Sequence, residues 1–67
     1  MQKWEYARVS VMLGEVKGTY NVDERCVDKY ADVTLTLLGR EGWELVSTVS
    51  RNDPATYTLF FKRPAQN

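Results

Sequence analysis

The sequence predicts one small α+β domain, ordered strand–helix–strand–strand, with a three-stranded mixed sheet of order 1-3-2 and a single helix packed on one face. Three observations predict it. Apolar residues alternate strictly at Ala7, Val9, Val11 and Leu13. They then recur at three- and four-residue steps from Cys26 to Leu38. Two short runs rich in β-branched and aromatic residues follow, split by Asn52-Asp53-Pro54-Ala55.

The first strand is Trp4 to Leu13, with Ala7, Val9, Val11 and Leu13 on one face and Trp4, Tyr6, Arg8, Ser10 and Met12 on the other. Gly14-Glu15-Val16-Lys17-Gly18 reads as a loop, because two glycines and two charges break the pattern. Thr19 to Val22 reads either as a short extended piece or as more loop. Asp23 is an N-cap residue with Glu24 in the first turn. The helix that follows buries a stripe of Cys26, Val27, Tyr30, Val33, Thr34, Leu37 and Leu38. It ends near Gly42, with Gly39 as a competing stop. If Gly42 is the left-handed residue after the cap, Leu38 and Trp43 occupy the positions that meet in a Schellman motif.

Trp43 to Ser50 is the second strand and Thr56 to Lys62 the third. Asn52 to Ala55 forms the turn between them, with Asp and Pro placed as a type I turn favours. Pro64 stops pairing, and Ala65-Gln66-Asn67 frays. The short connection pairs strands two and three, and the helical crossover sets strands one and two parallel. The third strand, as the most apolar, goes in the middle. Ala7, Val9, Val11, Leu45, Leu59 and Phe61 then meet the helix. The reverse side carries Trp4, Tyr6, Arg8, Glu44, Val46, Thr48, Thr58, Phe60 and Lys62.

Sixty-seven residues make one domain, residues 1–67. A chain this short buries only about 60% of the surface it exposes unfolded, so small domains recruit disulfides, metals or partners. One cysteine and no histidine exclude an internal disulfide and argue against zinc. The lone thiol, the lack of an apolar leader and the lack of a membrane-length apolar run predict a cytoplasmic protein. Nine basic and nine acidic residues predict neither a nucleic-acid partner nor a membrane surface, and a near-zero charge is compatible with self-association.

Trp4-Glu5-Tyr6, the block Leu38-Gly39-x-Glu41-Gly42-Trp43-Glu44-Leu45-Val46 and Phe61-Lys62-Arg63-Pro64 together resemble the bacterial and phage family called domain of unknown function four-one-seven-seven. The resemblance implies a compact β-α-β-β fold and a small bacterial or phage protein. It implies no activity, substrate or catalytic residue.

No catalytic constellation is legible, and the chain reads as a non-enzyme without cofactor. Cys26 lacks a histidine base and falls on the buried stripe. Glu24, Asp28 and Asp32 recur every four residues but read as a solvated helix face, tempered by Arg25–Asp28 and Lys29–Asp32 pairs. The glycines of Gly39-Arg40-Glu41-Gly42 close a helix, whereas phosphate loops open one. Arg8, Lys62 and Arg63 lie near aromatics.

What stands out is the reverse sheet face, because a solvated face does not need Trp4, Tyr6 and Phe60 together. Either these rings cover one another, or they form a contact surface. The expected function is a small interaction domain that forms a homo-oligomer, or binds another protein, through Trp4, Tyr6, Val46 and Phe60 or through an edge strand. The alternative is a binder of a small anionic ligand such as a nucleotide, held by Tyr6, Arg8 and Lys62 in pockets between subunits.

Overall fold

The computed structural model describes residues 1–52 and 55–65. It is α+β, and it corrects the sheet: four strands, not three, pair antiparallel throughout in the order β2-β1-β4-β3. The strands are β1 (Trp4–Met12), β2 (Glu15–Tyr20), β3 (Glu44–Asn52) and β4 (Ala55–Pro64). One α-helix, α1 (Ala31–Arg40), follows a single 3₁₀ turn at Glu24–Cys26. The added strand is β2, which covers most of the expected loop and the start of the segment left open between extended piece and loop.

Leu13 and Gly14 make the hairpin that creates β2. Both have positive φ, 53° and 77°, as a two-residue type I′ turn requires. Lys17 is the extra residue of a bulge, since Ser10 pairs with Gly18 while Val11 pairs with Val16. At the far end of β2, Asn21 turns left-handed (φ 59°), and its side-chain amide donates to the Tyr6 carbonyl at 2.9 Å.

The helix starts later than expected. Asp23 does cap, accepting from the Arg25 amide at 2.9 Å, but only for the 3₁₀ turn. α1 begins after Tyr30, which offers no side-chain cap. Thr34 compensates from inside the helix: its buried hydroxyl accepts from the Asp28 amide (2.9 Å) and donates to the Asp28 carbonyl (3.2 Å). The break disperses the expected buried stripe, leaving Val27, Tyr30 and Val33 exposed.

The helix end follows the sequence. Gly42 has φ 88°, the Trp43 amide donates to the Leu38 carbonyl (3.0 Å) and the Gly42 amide to the Gly39 carbonyl (3.1 Å). These are the two bonds of a Schellman motif, and both Leu38 and Trp43 are buried.

Ala7, Val9 and Val11 of β1 and Phe61 of β4 join Cys26, Leu38 and Trp43 in the core. The contacts of α1 run mainly to β2 and the 3₁₀ turn. Leu45, expected beneath the helix, is half exposed. The strand alternation in β3 also slips. Leu45 pairs with Phe61 but Ser47 pairs with Phe60, which makes Val46 a bulge residue. Thr48 consequently pairs with Leu59 on the helix side, not the reverse side, and Val49 takes its place opposite Thr58. Pro64 does not end the pairing either: the Ala65 amide donates to the Lys3 carbonyl at 2.9 Å. The expected Asp53-Pro54 turn centre and the Gln66-Asn67 tail lie outside the described residues.

Candidate binding surfaces: an open sheet face and a bare edge

Strand register fixes what the uncovered face of the sheet presents. β1 and β4 oppose Tyr6 with Lys62 and Arg8 with Phe60, while Trp4 opposes Pro64. β2 adds Tyr20 beside Arg8, and β3 adds Glu44 beside Lys62. Trp4 (42% exposed), Tyr6 (60%), Tyr20 (60%) and Phe60 (37%) thus share one solvent-facing surface. Aromatic exposure on this scale marks a contact surface more often than an ordinary solvated face.

Two cations lie across these rings. The Lys62 Nζ sits 4.4 Å from the Trp4 ring centroid, and the Arg8 Cζ sits 5.4 Å from that of Tyr20. Lys62 also faces Glu44 Oε2 at 3.9 Å, a loose and exposed pair. The register therefore brings together Trp4, Tyr6, Arg8, Phe60 and Lys62. Val46 stands apart at the β3 bulge. Arg63, the third cation expected near aromatics, points to the helix side, where it meets Glu5, Trp43 and the Glu41 carbonyl.

Tyr20 and Val49 escaped the sequence reading. Tyr20 lies in a segment the sequence leaves open between strand and loop, and the bulge at Lys17 sets it on the face opposite Val16, so alternation from Val16 does not find it. Val49 was hidden by the bulge, for which the sequence carries no glycine signal.

The sheet edges differ from each other. The outer edge of β2 is sealed over its first half: the Val16 amide donates to the Lys29 carbonyl and the Ala31 amide to the Gly14 carbonyl, both at 2.9 Å. Among the described residues β3 has no such cover. Every residue from Glu44 to Arg51 is exposed, including Leu45 (50%), Val46 (53%) and Val49 (51%). From Leu45 to Ser50 it carries no charge and no proline.

Other candidate chemistry disperses. The Glu24, Asp28 and Asp32 stripe is broken, because Glu24 rides the 3₁₀ turn, Asp28 the segment after it, and only Asp32 lies on α1. The expected Arg25–Asp28 and Lys29–Asp32 pairs are replaced by Arg25–Asp23 at 2.8 Å and Lys29–Glu15 at 3.9 Å. Among the described residues no cluster of three His, Cys, Asp or Glu side chains could hold a metal, and no pocket is enclosed. A small ligand at Tyr6, Arg8 and Lys62 would need walls from a second copy. Cys26 is buried, and that burial raises its pKa, which keeps it a thiol. No helix among the described residues is long and apolar enough to cross a membrane. Comparison of the chain with protein-family models, with curated proteins and with solved structures finds no match.

Proposed function

We propose that this chain is a non-enzymatic interaction domain that self-associates by pairing the β3 edge with the β3 edge of a second copy. The contrast between the two sheet edges carries this reading. The first half of the β2 edge is occupied by the chain's own backbone, while among the described residues no backbone group pairs with the outer edge of β3, whose Leu45, Val46 and Val49 side chains are exposed. Natural edge strands are normally blunted by lysine, proline or a covering segment. β3 has a bulge at Val46, but Ser47 to Arg51 beyond it pairs regularly with β4. Antiparallel pairing of identical strands is compatible with the two-fold symmetry most homodimers use. Membership of the domain of unknown function four-one-seven-seven family is part of the proposal and rests on the Leu38–Val46 block and its flanking motifs.

Sedimentation velocity across a concentration series tests the reading. The wild type is expected to dimerise, and Thr48→Lys, a charge at the middle of the bare edge, to remain monomeric. A wild type that stays monomeric at millimolar concentration contradicts self-association. Dissociation by Phe60→Lys or Trp4→Ala, but not by Thr48→Lys, would move the contact to the open face.

A further inference from the structure

The cations of the open face are ordered. Arg8 opposes Phe60, and Tyr6 opposes Lys62 one step along the same two strands. The four form a checkerboard, with rings on one diagonal and charges on the other. Trp4 and Tyr20 flank it and carry the two cations on their faces. Among the described residues no cation lies over Tyr6 or Phe60, and the two rings are 60% and 37% exposed.

The acidic residues gather elsewhere. Glu5 meets Arg63 on the helix side, and Asp23, Glu24, Asp28, Asp32 and Glu41 ride on the 3₁₀ turn, α1 and the segments beside them. The open face presents Arg8, Arg51 and Lys62 against Glu44. Glu15, at its corner, is engaged by Lys17 (3.2 Å) and Lys29 (3.9 Å). Among the described residues the open face thus presents three cations, Arg8, Arg51 and Lys62, against two acids, Glu44 and Glu15, a small positive excess in a chain of zero net charge. The overall balance, which predicts against nucleic acid, does not register this segregation.

We propose that this face binds single-stranded nucleic acid, with successive bases stacked on Tyr6 and Phe60 and the adjoining phosphates on Arg8 and Lys62. Exposed rings interleaved with basic groups are what an unpaired strand requires, and a duplex keeps its base faces hidden. The surface is flat. A free nucleotide needs a cavity that covers most of it, whereas a strand sums many shallow contacts. A second copy is a poor occupant, because two-fold symmetry would set this net-positive face against itself.

Fluorescence anisotropy of a short labelled oligothymidylate at low salt tests the proposal, with circular dichroism to check each variant's fold. Wild type is expected to bind with a slope of log affinity against log salt near about −1.4, for two phosphates engaged. Tyr6→Ala and Phe60→Ala should each weaken binding roughly 5- to 150-fold, the range for loss of one stacked base. Arg8→Gln should flatten the salt slope by about 0.7. Glu44→Gln should tighten binding. Absence of binding by folded wild type overturns the proposal, as does equal binding to a duplex of the same length. Indifference to both ring substitutions would do the same, and so would competition by thymidine monophosphate as effective as that by the oligomer.

Discussion

The guanidinium of Arg63 lies over the ring of Trp43, its Cζ 4.2 Å from the centroid. The same group donates through Nε to Glu5 and through Nη1 to the Glu41 carbonyl at 3.0 Å. Arg63 therefore fastens β4 to β1 and to the exposed carbonyl at the C-terminal end of α1. A lysine cannot reproduce a planar fork that stacks and bonds twice. Arg63→Lys should cost about 1 kcal/mol and Arg63→Ala about 2 kcal/mol of unfolding free energy in urea titration. Equal stability of all three proteins would contradict this role.

Leu13 is held at positive φ in the β1–β2 turn, where a branched apolar side chain is unfavourable. Its side chain is exposed and contributes no burial in compensation. Leu13→Asn should stabilise by about 1 kcal/mol, raising the melting temperature by roughly 4–8 °C at fixed protein concentration. A lower melting temperature would mean that Leu13 makes contacts worth more than the strain.

Thr34 supports the start of α1 with two hydrogen bonds to the Asp28 backbone. Thr34→Val keeps the shape but orphans both backbone groups, and should cost about 2 kcal/mol. Thr34→Ser keeps the bonds and loses one methyl, for about 1 kcal/mol. Urea titration ranks the two, and the reverse ranking would exclude the hydroxyl as the support.

Asp23 accepts from the Arg25 guanidinium and amide, and these bonds lower its pKa from 3.8 to about 2. A depressed carboxylate contributes stability that is present above the unfolded value and lost as pH falls through the folded one. Wild type should therefore lose stability more steeply than Asp23→Asn between about pH 4 and pH 2. Parallel melting-temperature profiles in that window would contradict the assignment.

Cys26 is buried and belongs to the same core cluster as Val9, Leu38 and Phe61. Labelling by a thiol reagent should require unfolding, so its rate should rise with urea in step with the unfolded population. Immediate stoichiometric labelling in native buffer would place the thiol at the surface.

Much of the core was legible because its signals are local. The Ala7, Val9 and Val11 alternation and the Leu38–Gly42–Trp43 spacing each specify a geometry within a few residues. The rings of Trp4, Tyr6 and Phe60 fell on one face for the same reason. The errors arose where the deciding contact is distant or the turn chemistry is unusual. Leu-Gly is a weak hairpin signal beside Asn-Gly, so the sequence reads Gly14 to Gly18 as loop and leaves Tyr20 open between extended piece and loop. Asp23 signals a helix start, yet it caps one turn only, and Thr34 sets the actual start from inside α1. The bulge at Val46 depends on how β3 meets β4 and moved Thr48 and Val49 across the sheet.

The hydrogen bonds from Val16 and Ala31 that close one margin of the sheet have a stoichiometric consequence. A ribbon with two receptive margins adds units without limit and becomes a fibre. Under the proposed β3 pairing, only the short stretch 18–20 of the opposite margin is left to a further copy, so growth is expected to stop at a pair.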